Sequence, residues 1–245
     1  KSALTLPAMR AARFGVKYEA LVEKHQNLKV ASQWLTNEWS GSLTVNGAER
    51  VPDDGPLLLV SNHPGMGDAI SLFATLPRED VYTFVKVRTL LNVLPNFLDY
   101  CIVVDEEKPM VALRQMISKL RAGKTVLLYP RGEMEVDPAV DIYQAISSLD
   151  HWSKSIETVA RAVPDLTVMP VGVGGVISKS ALKSPLCSLY KKPESKNYLA
   201  ATLQLMFECY RDVDVKVSYG QPLQKDAIQL KTIQSEMASL LSDVL

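Results

Sequence analysis

The residues best suited to chemistry in this chain lie in one short stretch, Ser61-Asn62-His63-Pro64-Gly65-Met66-Gly67-Asp68. Histidine takes up and returns protons near neutral pH, and a carboxylate on its second ring nitrogen fixes the tautomer and stabilises the cation that forms. His63 and Asp68 can make such a pair if the chain between them folds back on itself. Pro64, Gly65 and Gly67 are residue types that permit that turn. The same residues admit a structural alternative, in which Asp68 is the N-cap of a helix beginning at Ala69 and His63 is a partly buried histidine at a strand end. The two roles of Asp68 are compatible.

Other chemistries lack their residues. There is no Gly-x-Ser-x-Gly nucleophile elbow, and Ser61 reads as a turn residue. Gly172, Gly174 and Gly175 do not form a Gly-x-Gly-x-x-Gly pattern, so dinucleotide binding is not expected. The three cysteines, Cys101, Cys187 and Cys209, have no short spacing, which argues against a disulfide framework and a zinc site and suits a reducing compartment. No metal and no bound cofactor are expected.

The 27 basic side chains are balanced by 27 acidic ones, so no global field draws the protein to nucleic acid, and any membrane contact has to be local. No stretch reaches the roughly 18 to 20 apolar residues of a spanning helix. The start lacks the order of a signal peptide, and the first residue is Lys1, which leaves a removed leader open. The expected location is cytoplasmic, peripheral at a membrane surface.

The elements around the loop follow from periodicity. Residues 57–60, Leu-Leu-Leu-Val, form a short apolar run between turn signals, as a buried strand does, and residues 69–76 read as the helix after the loop. Strands are also expected at 42–45, 81–85, 101–104, 125–129, 166–173 and 213–219. Residues 7–39 predict one or two helices, and 109–121 predict another, with Pro109 at its start and Gly123 beyond its end. Residues 138–163 carry apolar side chains along one helical face and predict a single long helix, and 226–245 predict a last amphipathic one. Residues 88–98 read as irregular or partly helical around Pro95.

Alternating strands and helices predict an α/β fold, a single layered domain whose central sheet is mixed, largely parallel and flanked by helices. An N-terminal helical segment, 1–41, precedes the main domain, 42–245. Its Arg10, Arg13 and Lys17 among apolar residues suit a helix on an anionic bilayer, or a helix that covers the sheet.

His63-x-x-x-x-Asp68, preceded by Asn62, resembles the first signature block of the glycerolipid acyltransferases typified by lysophosphatidic acid acyltransferase. Phe84-Val85-Lys86 with Leu90 and Pro95, then Cys101 to Asp105, resemble the region of the second block. Tyr129-Pro130-Arg131-Gly132-Glu133 resembles the third, Val168-Met169-Pro170-Val171-Gly172-Val173 the fourth, and Val217 to Leu223 the closing strand and Gly-x-Pro turn. The resemblance implies transfer of a fatty acyl group from a thioester, acyl-CoA or acyl-ACP, to a lipid-type hydroxyl or amine, with the hydroxyl favoured.

In such a family His63 is the general base oriented by Asp68, and backbone amides around Gly132 are candidate oxyanion donors, or Gly132 is a turn glycine. Acceptor-binding candidates are Lys86, Arg88, Arg131, Gly132 and Glu133. The implied partners are the thioester donor, an acyl carrier protein where it carries that donor, a lipid acceptor and a peripheral membrane contact.

The chain departs from the family's pattern where an arginine and a Glu-Gly-Thr are usual. It has Glu106 and Arg131-Gly132-Glu133 instead. Arg131 either binds a phosphate in place of the missing arginine or pairs with Glu133, Glu106 or Glu135. The alternative to an enzyme is an inactive lipid-binding or regulatory relative of the same fold.

Overall fold

The computed structural model describes residues 5–86, 93–105 and 107–245. In chain order these form α1 (Thr5–His25), α2 (Lys29–Trp39), β1 (Ser42–Asn46), β2 (Leu57–Ser61), α3 (Gly67–Thr75), β3 (Val81–Lys86), α4 (Pro95–Leu98), β4 (Cys101–Val104), α5 (Pro109–Arg121) and β5 (Thr125–Leu128). Next come α6 (Ile142–Ser148), α7 (Ser155–Ala162), β6 (Thr167–Gly174), α8 (Lys179–Leu182), α9 (Pro185–Ser188), α10 (Pro193–Met206), β7 (Asp214–Tyr219), β8 (Leu223–Gln224) and α11 (Leu230–Asp243).

The strands join one sheet in the order β1-β7-β6-β2-β5-β3-β4, with β8 beside β6. Pairing is parallel except where β6 meets β7 and β8. The expected mixed, largely parallel sheet flanked by helices is therefore what the chain forms. Every residue of β2 and β6 is buried, as strands covered on both faces must be. Leu57 and Leu59 point into one apolar layer with α1, α2 and α3, while Leu58 and Val60 point into the other with α5, α6, α7 and α11.

Pro170 sits inside central strand β6, where a missing N–H would ordinarily cost a ladder bond. The carbonyl of Pro170 accepts from Gly220 N, so its edge faces the turn between β7 and β8. The break in the neighbouring ladder falls where no N–H is available.

The N-terminal helices cover the sheet. Tyr18 and Val22 of α1, Leu28 just before α2, and Ala31 and Trp39 of α2 are buried in the same layer as α3. Lys17, for which a bilayer face and a helix covering the sheet were both open, lies over the Trp34 ring at 4.4 Å.

The single helix expected over 138–163 is a correction. α6 ends in a tight 3-10 turn, Leu149–His151, and Trp152 is extended at φ −68° and ψ 139° before α7 begins. The Trp152 indole donates to Glu135, and the Ser153 amide donates to the carbonyl of Pro130, so long-range partners break a periodicity that local sequence continues. The last helix likewise starts later than expected, at Leu230, and α8, α9, α10 and β8 occupy segments for which periodicity gave no element.

The start of α3 is set by packing. The helix begins at Gly67, two residues before the expected Ala69, and a Cβ on Gly67 would overlap the six-membered ring of Trp39. Gly67→Ala is expected to destabilise the protein by about 1 to 3 kcal/mol through this overlap. Chemical denaturation of both proteins measures it; an unchanged midpoint would show that Trp39 does not hold the helix start.

Candidate active site

Two neighbouring strands send their chains to opposite sides of the sheet. β2 and β5 are parallel, with Val60 opposite Leu128. The chain leaving β2 enters α3 in one apolar layer, and the chain leaving β5 enters α6 and α7 in the other. Such divergence puts the two following loops at the carboxyl ends of the strands, where ligands of open α/β sheets commonly bind. The His63 loop follows β2 at this edge, and Tyr129 to Asp137 follow β5.

At this edge Nδ1 of His63 lies 2.7 Å from Oδ2 of Asp68. Asp68 is not the N-cap expected as the structural alternative; the cap position is Met66 and carries no side-chain bond. The Asp68 carboxylate, buried completely, accepts from four groups: His63 Nδ1 and Gly65 N on Oδ2, and Tyr129 hydroxyl and Ala69 N on Oδ1. One of these donors, Ala69 N, is a backbone amide in the first turn of α3, a position that also favours negative charge. The Tyr129 ring stacks on His63 at 4.3 Å between centroids. Burial, with the Asp68 charge beside it, pushes the Tyr129 pKa well above its ordinary value, so its hydroxyl remains a donor.

The loop is held from a second side by Glu135, a residue that motif spacing did not single out as part of this site. Glu135 Oε2 accepts from His63 N at 2.8 Å, and Glu135 N donates to His63 O at 2.7 Å. The other carboxylate oxygen accepts from Ser148 Oγ and Trp152 Nε1. Asn62 makes a comparable two-way contact, donating to Val173 O and accepting from Val173 N, which fastens the loop to β6. Asp137 gathers the amides of Ala139, Gly175, Val176 and Ile177, and Gly65 packs against Val176 and Ile177. Burial raises the Asp137 pKa, and those backbone donors oppose the rise.

The remaining sequence candidates separate. Lys86 is exposed at the carboxyl end of β3, which neighbours β5. Arg131 is half-buried and Glu133 exposed, and among the described residues neither has a hydrogen bond or ion pair. The alternative in which Arg131 pairs with Glu133 or Glu135 is thus not formed, and Glu135 is committed to His63, Ser148 and Trp152. The amide of Gly132 donates to Tyr129 O at 3.0 Å, and its φ is +73°, so Gly132 closes a turn and its own N–H is taken. Arg88 and Glu106 lie outside the described residues, as does the side chain of Arg10. Among the described residues no cluster of three or more His, Cys, Asp or Glu could hold a metal ion.

This arrangement can move a proton. With Nδ1–H given to Asp68, Nε2 is the nitrogen left to accept, and the His63 side chain is 28% exposed. Burial by itself would lower the His63 pKa; the charge and hydrogen bond of Asp68, with Glu135 adding, outweigh it and hold the value above the ordinary 6.5.

A family model described as Acyltransferase matches residues 42–174, more than half of the chain. The crystal structure of the 1-acyl-sn-glycerophosphate (LPA) acyltransferase from Thermotoga maritima is similar, with a TM-score of 0.58 and 15% identity over 95% of this chain and 79% of that one. At that identity the likeness is one of fold. No curated protein sequence matches the chain significantly.

The raised His63 value has a direct check, because the chain has only 3 histidines and their ring signals can be followed by NMR. The His63 midpoint is expected above 6.5, and Asp68→Asn and Glu135→Gln are each expected to lower it. The ion pair of protonated His63 with Asp68 adds stability that is complete below the unfolded value and fades as pH rises through the folded one. Glu135→Gln also places an NH2 among donors, at an expected cost of about 1 to 3 kcal/mol. A His63 midpoint unmoved by either change would remove the carboxylates as its cause.

Proposed function

We propose the following function for this chain, which belongs to the Acyltransferase family: it moves a fatty acyl group from a thioester, acyl-CoA or acyl-ACP, to the hydroxyl of a lipid-type acceptor. The observation that carries this reading is the 2.7 Å contact between His63 Nδ1 and the buried Asp68 carboxylate in a partly exposed loop. In each turnover Nε2 of His63 takes the proton of the acceptor hydroxyl as its oxygen attacks the thioester carbonyl. The tetrahedral oxyanion collapses with cleavage of the carbon–sulfur bond. The proton on Nε2 passes to the leaving thiolate, giving an ester and a free thiol, and no acyl-enzyme is needed.

Asp68 is the positioning group in this scheme. It holds the tautomer that leaves Nε2 unprotonated and offsets the positive charge that His63 carries between the two transfers. Tyr129 and Glu135 keep the imidazole and the carboxylate in register.

The acceptor side is assigned to the carboxyl edge of β3 and β5, with Lys86 and Arg131, together with Arg88, Gly132 and Glu133 of the sequence reading. Arg131, half-buried and without an acidic partner among the described residues, suits an anionic group on acceptor or donor. The Thermotoga maritima protein is named for a 1-acyl-sn-glycerophosphate acceptor. A lipid acceptor places the reaction at a membrane surface. Among the described residues no helix is long and apolar enough to cross the bilayer.

The test incubates the protein with labelled acyl-CoA or acyl-ACP and a lipid extract, then identifies the acylated product by mass. His63→Ala is expected to fold and to lose about 100- to 10,000-fold in rate. The wild-type rate should rise with pH through a midpoint above 6.5, since only neutral His63 can accept a proton. A folded His63→Ala variant with undiminished turnover would sink the proposal.

A further inference from the structure

We infer that the lysine-rich segment through α8, α9 and the start of α10 docks the protein on an anionic lipid bilayer; this rests on the reading of the acceptor as a lipid. Residues 179–198 contain five lysines and one acidic residue, in a chain that as a whole has 27 basic and 27 acidic side chains. The single turn of α9 buries Cys187 completely and turns its neighbours outward: Leu186 is 49% exposed, Leu189 76% and Tyr190 48%. Lys183, Lys191 and Lys192, which flank these apolar residues in the chain, are exposed as well.

Exposed leucines with a tyrosine, flanked in the chain by exposed lysines, match the two components of an anionic membrane surface. The apolar side chains enter the acyl boundary, and the ammonium groups meet lipid phosphates. An aqueous role explains neither the exposure of Leu189 nor the lysines gathered beside it, because loop tips in water are ordinarily polar.

The position of the segment relates docking to the reaction. β6 runs parallel to β2, with Ser61 opposite Val171, so the chain leaves β6 at the edge from which the His63 loop leaves β2. Val176 and Ile177 pack against Gly65, one residue before Ser178 caps α8. Asp137 fixes the amides of residues 175–177, and Asp212 accepts from Ser178 and Ser180. The base of the segment is therefore packed against the loop that holds His63. The segment thus leaves the sheet at the same carboxyl edge as the loop that carries the imidazole.

Vesicle flotation with the full chain tests the inference, comparing phosphatidylcholine vesicles with vesicles that also contain phosphatidylglycerol. Binding is expected on the anionic vesicles, weakening as salt is added. Lys191→Gln with Lys192→Gln is expected to reduce partitioning about 30-fold, and Leu189→Ser by roughly 10-fold or more. Circular dichroism and turnover of a monodisperse short-chain acceptor should be unchanged in both variants. Wild-type binding by the variants, or equal binding to neutral vesicles, overturns the inference. So does a loss confined to turnover of a donor carried on an acidic carrier protein. His63→Ala should bind vesicles normally; a wild type that binds vesicles but transfers no acyl group would sink the catalytic reading and leave the docking surface standing.

Discussion

A carboxylate withdrawn completely from water has to be met by donors, and much of this site can be traced to meeting the needs of Asp68. One oxygen takes the His63 ring and the amide of Gly65; the other takes the Tyr129 hydroxyl and the amide of Ala69. Each donor imposes a condition on the chain. The Gly65 and Ala69 amides require the loop to curl at the start of α3, and Tyr129 requires β5 to lie beside β2 with its end level with the loop. The unpaired cost of such a group explains why these conditions hold together, since a buried acceptor left without partners is more expensive than the bonds are individually worth.

Glu135 solves a different problem. Asp68 orients the imidazole but does not fix the backbone that carries it, and a loop with two glycines has many alternatives. The reciprocal bonds between His63 and Glu135 restrict the main chain at the residue that bears the ring. The same carboxylate draws in Ser148 and Trp152, so the segment between α6 and α7 closes over it. The bend that interrupts the apolar run of 138–163 is thus part of the support for His63, a case of tertiary contacts overriding local periodicity.

The electrostatics carry an inherent compromise. Burial favours neutral His63, whereas two nearby carboxylates favour its cation, and the carboxylates prevail. A base with a raised pKa holds the transferred proton well but is ready to accept one over a narrower pH range. Partial exposure of the ring allows a substrate to approach Nε2 while the carboxylates stay hidden behind it.

Much of the architecture was legible because it depends on local rules. The apolar run of β2 between turn signals, the boundaries of α5 set by Pro109 and Gly123, and the alternation of strands and helices all follow from periodicity and backbone preference, which short sequence windows contain. His63 and Asp68 were legible as a pair because the four residues between them, with a proline and two glycines, can turn back. Glu135 and Asp137 were not, since nothing near them in the chain says that their partners are His63 and Gly175; that follows from which strands are neighbours. Gly67 gave no sign that Trp39 would cover it and start α3 two residues early. The amino-acid sequence by itself determined the elements and the paired base and acid. Only the tertiary structure decided what surrounds them, because donors for a buried charge come from whichever segments the sheet brings together, however far apart they lie in the chain.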